Sequence, residues 1–174
     1  MVRKIISIFL VLLCFNASAQ KFLSKNGIIS FFSEAPMEDI FAVNEKVSAI
    51  YDIKNKDIIF QLRISDFIFP KPLMQEHFNE NYLESDIFPK STFIGKVISF
   101  NGDLTTVEGE LTMHGKTNKI KVDGKIELAQ DKVIISTVFS VKLEDYDIDI
   151  PSIVMYKIAE EIEIKVNIEL YKVQ

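Results

Sequence analysis

Glu161-Ile162-Glu163-Ile164-Lys165-Val166-Asn167-Ile168-Glu169-Leu170 alternates polar and apolar side chains without interruption. Successive side chains of a strand point to opposite faces, so this period of two puts one face in a core and the other in water. Wound as a helix, the same residues would scatter isoleucine and glutamate around the whole circumference. The stretch therefore predicts a half-buried strand, with Ile162, Ile164, Val166, Ile168 and Leu170 on its inner face.

The same period recurs upstream. Ile58, Phe60, Leu62 and Ile64 alternate with Ile59, Gln61, Arg63 and Ser65, and Val107, Gly109, Leu111 and Met113 with Glu108, Glu110, Thr112 and His114. Ile120, Val122, Ile126 and Leu128 share one face of another run; Val133, Ile135, Thr137, Phe139, Val141 and Leu143 share one face of the next. Ile28–Glu34, Lys46–Asp52 and Thr92–Phe100 bring the strands to about eight. Turn residues separate the runs: Asn55, Asn101-Gly102-Asp103, His114-Gly115, Asp123-Gly124 and Gln130-Asp131. Strands joined by short turns pair antiparallel. Eight of them can close into a barrel whose interior is either filled or holds one small ligand.

Two stretches depart from the period of two. Pro72 to Leu83 reads as a helix with Met74, Phe78 and Tyr82 on one stripe, and Pro151 to Ala159 as a second with Ile150, Val154 and Ile158 on one stripe. Such helices either cap the barrel or gate its mouth. The expected fold is thus all-β: an eight-stranded antiparallel barrel with two short helices.

The N-terminus carries an address. Arg3 and Lys4 precede an apolar run, Ile5 to Phe15, and Ala17-Ser18-Ala19 offers the small residues of a cleavage site. This is the pattern of a secretory signal peptide over residues 1–19, cleaved between Ala19 and Gln20, with the folded domain over 20–174. The apolar run is too short to span a bilayer comfortably. Leu13 is too large for the position before Cys14 in a lipidation signal. The chain's one cysteine leaves with the leader, so the exported domain is held by its core alone. Export predicts a periplasmic or secreted location.

Composition narrows the function. The 174 residues carry a net charge of −5 with 48% hydrophobic residues, which argues against nucleic acid and against disorder. With two histidines, one cysteine and six glycines, zinc ribbons and disulfide scaffolds are excluded, and neither a phosphate loop nor a nucleophile elbow is present. His77, beside the Met74–Phe78 stripe, is either a polar contact for a ligand headgroup or a surface histidine; His114 precedes Gly115 and reads as a turn residue. Asp145, Asp147 and Asp149 resemble the opening of a calcium loop, but Ile150 replaces its glycine and Tyr156 its closing glutamate. They read as solvent-facing members of an alternating segment. Neither a metal nor a cofactor is expected. Phe60, Phe67, Phe69, Phe78, Phe93 and Phe139 fall in or beside the sheet, and periodicity does not decide whether they fill the barrel or line a hollow.

Leu73-Met74-Gln75-Glu76-His77-Phe78, Tyr82-Leu83-Glu84 and Phe88-Pro89-Lys90-Ser91-Thr92-Phe93 resemble the central signature of the YceI-like family. Val107-Glu108-Gly109-Glu110-Leu111-Thr112-Met113-His114-Gly115-Lys116-Thr117 is similar to that family's hairpin, and Phe139 to Tyr146 to its closing segment. The resemblance implies an extended lipocalin-like barrel, export, and a long hydrophobic cavity for a polyisoprenoid or similar amphiphilic lipid. On that implication the lining residues are Phe60, Leu62, Ile64, Phe67, Phe69, Met74, Phe78, Phe93, Leu111, Met113, Ile135 and Phe139, with His77 as a headgroup contact at the mouth. The expected partner is an isoprenoid or fatty-chain lipid, with no nucleic acid and no transmembrane segment in the exported chain; a homodimer stays open. The competing functions are an envelope enzyme acting on a hydrophobic substrate, which needs a polar cluster inside the barrel, and a ligand-free module with a packed interior.

Overall fold

A computed structural model describes residues 20–34, 39–149 and 159–173. Eight strands follow one another: β1 (Lys21–Ser33), β2 (Ile40–Asp52), β3 (Asp57–Arg63), β4 (Lys90–Asn101), β5 (Leu104–Met113), β6 (Lys116–Leu128), β7 (Lys132–Lys142) and β8 (Glu161–Lys172). Each pairs antiparallel with the next, and β8 returns to β1, closing the barrel. The alternating stretch Glu161–Leu170 falls in β8. Ile162, Val166, Ile168 and Leu170 are buried on the inner face as expected, and Ile164 packs half-buried beside them.

Turn chemistry sets the hairpins. His114 and Gly115 both hold positive φ, 51° and 74°, the requirement of the two-residue turn whose twist matches its strands. Between β2 and β3 the buried Asp52 carboxylate accepts the backbone N–H and the side-chain Nδ2 of Asn55, each at 3.0 Å. The hydrogen bond from the Asn55 backbone, assisted by the side-chain bond and nearby Lys21, holds the Asp52 carboxyl below the usual aspartate range. A carboxylate depressed in the folded state contributes stability above its unfolded pKa and loses that contribution as the pH falls through the folded one. Denaturant titrations across pH should therefore show Asp52→Asn flattening the acid limb below about pH 4, with less effect of pH on the variant than on the parent.

Asp123-Gly124 proves not to be a turn. β6 runs straight through it, because β7 approaches too closely for a side chain: a Cβ on Gly124 would lie 2.7 Å from the Ser136 carbonyl oxygen. Glycine here marks a close approach of backbones rather than a change of direction.

Pro72–His77 forms a short helix, α1, with proline at its start, and continues into a π-type turn, Phe78–Tyr82. Phe78 and Tyr82 are buried and Met74 is half-buried, so the expected stripe faces the barrel end. The second expected helix, at 151–159, falls almost wholly outside the described residues, as does the leader over 1–19. Asp145 lies in a 3₁₀ turn, Glu144–Tyr146, and Asp147 adopts a left-handed conformation. The three aspartates face solvent, as expected, in alternation with the buried Tyr146 and Ile148. No described helix is long and apolar enough to cross a membrane.

Candidate functional site

The inner faces of the strands converge on an elongated cavity. β3 contributes Phe60 and Leu62, the following 3₁₀ turn Ile64, and the segment leading to α1 Phe67 and Phe69. Met74 and Phe78 enter from α1 and its π-type turn, Phe93 from β4, Leu111 and Met113 from β5, and Ile135 and Phe139 from β7. All the lining residues expected from sequence are thus brought to one cavity. His77 is the exception: it is half-buried on the flank of α1 and does not line it.

The sequence reading missed part of the wall. Ile120, Val122 and Ile126 of β6, Ile162, Ile164 and Val166 of β8, and Ile29 and Phe31 of β1 line the same space. Their signal was available, since each sits on the inward phase of an alternating run.

Two glycines make room for the Phe93 ring against the wall. Gly95 and Gly109 face each other in register on β4 and β5. A Cβ on Gly109 would come within 2.7 Å of the Phe93 ring and 2.5 Å of the Gly95 Cα, so a side chain at either position would displace that ring or part the strands. The space open to the centre of a water-sized sphere is about 160 Å³. One water needs about 10–15 Å³ on that measure, so this is no packing defect. On β5 the lining runs from Thr105 to Met113, a strand length of about 27 Å.

One end of the cavity is floored by aromatics. Phe78 stacks on Phe31 with ring centres 5.5 Å apart, and meets Phe67 at 5.6 Å and Phe69 at 4.9 Å. Toward the opposite end of the barrel, Phe22, Tyr51, Val97, Val133 and Leu170 are buried and pack solidly beyond the cavity. Burial raises the Tyr51 and Tyr82 hydroxyls above the usual phenol range, so both are neutral near pH 7.

His114 serves the frame of the barrel and not the cavity. Its Nδ1 lies 3.0 Å from the Tyr146 carbonyl, which only accepts, so Nδ1 carries the hydrogen. Nε2 lies 2.9 Å from Glu84 Oε2, and the ring meets Phe88 edge-on at 4.6 Å. The imidazole thereby ties the β5–β6 hairpin to the loop after α1 and to the 3₁₀ turn after β7. Replacing His114 by alanine removes both hydrogen bonds and leaves the Tyr146 carbonyl and Glu84 seeking other partners. The expected cost is about 1–3 kcal/mol in urea denaturation.

Among the described residues no set of histidine, cysteine, aspartate and glutamate side chains gathers where it could hold a metal ion. The geometry defines a closed antiparallel barrel of lipocalin type with an apolar, elongated interior. The chain belongs to the YceI-like domain family, whose model matches residues 29–170. No curated protein matches it. Among solved structures it is similar to Burkholderia cenocepacia BcnA, with TM-score 0.73 and 15% identity over 83% of this chain and 95% of that one. A polyisoprenoid binding domain from Saccharophagus degradans, implicated in plant cell wall breakdown, aligns with TM-score 0.74 and 10% identity over 88% of this chain and 98% of that one. The Campylobacter jejuni YceI protein aligns with TM-score 0.63 and 16% identity over 75% and 83%. At these identities the likeness is one of fold.

Proposed function

We propose that the protein is an exported lipid-binding protein that carries or sequesters a long-chain lipid, a polyisoprenoid or similar amphiphile, inside its barrel. The observation that carries this reading is the cavity: hollow, elongated, and lined almost throughout by aliphatic and aromatic side chains. Burying a lipid chain there is worth roughly 0.8 kcal/mol per methylene, before the costs of ordering chain and wall. The polyisoprenoid-binding description of the Saccharophagus degradans neighbour supports the ligand class. The leader pattern at residues 1–19 supports export to the periplasm or beyond.

A binding role suits the interior better than a catalytic one. Both histidines lie away from the lining: His114 is engaged by Glu84 and Tyr146, and His77 sits on the flank of α1. The large hollow likewise favours a ligand over a packed module. Titrating delipidated protein with a fluorescent long-chain lipid tests the reading. Saturable uptake, competed by unlabelled isoprenoid or fatty chains and not by short soluble analogues, is expected; absence of uptake overturns it.

A further inference from the structure

The barrel wall has a break. β6 pairs with β5 from Lys116 to Gly124, and β7 pairs with β8 along its whole length, from Lys132 to Lys142. Yet β6 and β7 pair with each other only from Gly124↔Thr137 to Leu128↔Val133. Beyond that point, Lys119–Asp123 of β6 and Val138–Lys142 of β7 run on as strands without bonding to one another. Five residues on each side give a slot about 15 Å long.

The slot has defined ends. At the lower one, where the ladder stops, Thr137 Oγ1 donates to the Asp123 carbonyl at 2.6 Å. At the upper one, Asn118 Nδ2 donates to the Asp145 carbonyl and Lys116 pairs with Asp147 at 2.6 Å, clasping β6 to the 3₁₀ turn after β7.

The slot also meets the cavity. Ile120 and Val122 on one side and Phe139 on the other are inward-facing and line it, yet all three are only half-buried. On β6 no residue at all is fully buried, whereas the inward residues of β2 and most of those of β8 are. Among the described residues the two ends are obstructed: aromatics around Phe78 lie beneath α1 at one end, and the barrel is solidly packed at the other.

We propose that the lipid enters and leaves the cavity sideways, through the slot between β6 and β7. This rests on the lipid-binding reading above and adds the route. A lateral slot lets an apolar chain pass from a membrane or another carrier along its length, instead of threading end-on past the aromatic cluster.

The test uses Lys121→Cys with Ser140→Cys, two exposed positions that would face each other across the slot if the register continued, in a Cys14→Ser background. The two thiols are bridged with a short bis-maleimide, and exchange of a preloaded fluorescent long-chain lipid is followed. Exchange slower by roughly tenfold or more is expected relative to the same variant capped with N-ethylmaleimide. A bridge between Glu127→Cys and Ile134→Cys, across the paired part of the same two strands, should leave the rate unchanged. As an independent arm, Asn118→Ala combined with Lys116→Ala removes the clasp and should speed exchange. An exchange rate untouched by both the slot bridge and the loss of the clasp overturns the lateral route while leaving lipid binding intact. Failure of every form, parent included, to take up lipid overturns the functional reading itself.

Discussion

Leu111→Glu is expected to abolish lipid binding. Leu111 lines the cavity from β5 and is 8% exposed, so a carboxylate there would face an alkyl chain with neither water nor a cation to solvate it. A penalty of about 3 kcal/mol or more corresponds to a loss of affinity of roughly a hundredfold or greater. The same charge also strains the empty barrel, so far-ultraviolet circular dichroism and urea unfolding must accompany the binding assay. Leu111→Phe separates the two effects. It fills space without adding polarity, and is expected to shift the preferred ligand to shorter chains while the barrel spectrum is retained. Unchanged affinity and chain-length preference in both variants would place the ligand elsewhere.

The second large effect is on stability. Phe78→Ala is expected to cost about 3–5 kcal/mol, because it removes the ring that Phe31, Phe67 and Phe69 all contact and leaves a void at the cavity end. That void is continuous with the lipid cavity. A bound chain that reaches into it recovers part of the loss, so saturating lipid should stabilise the variant by more than it stabilises the parent. Paired urea titrations with and without lipid measure this. A loss below about 1 kcal/mol would mean that the cluster is loosely packed and closes over the gap.

How far the sequence spoke for the molecule differs by feature, for physical reasons. The strands were legible because a period of two is the direct imprint of a surface with one wet and one dry face, and β8 shows it without a fault. The number of strands and the short turns between most of them allowed a barrel, and the family resemblance implied its closure. The lining was legible at Phe60, Leu111 or Ile135 because inwardness and apolarity coincide there. At Asp123-Gly124 the same local rules misled: a glycine demanded by the backbone of β7 looks identical, in one dimension, to a glycine demanded by a turn. The break between β6 and β7 left no trace, since pairing between strands is a tertiary property and both strands keep their alternation whether or not they bond.

The histidines make the same point. His77 drew the functional expectation through its position beside the helix stripe, while His114 read as a turn residue. The structure puts His77 off the cavity wall and gives His114 a partner on each side. Those partners, Glu84 and Tyr146, lie 30 and 32 residues away, beyond any local pattern. The positive φ of His114 was implied by the His114-Gly115 pair, but its buried bonds were not.

On the proposed function the hollow of this barrel is occupied by a long lipid chain in life. Mass spectrometry of the organic extract from protein recovered from its own cells, compared with the intact complex weighed under native conditions, addresses it most directly. A discrete adduct on the folded protein is expected, present in about one copy per chain and identified in the extract as an isoprenoid or fatty-chain lipid, and filling the cavity with Leu111→Phe is expected to shift the adduct to shorter chains. A native protein that carries no lipid, and that takes none up from a cell-envelope extract after delipidation, would contradict it.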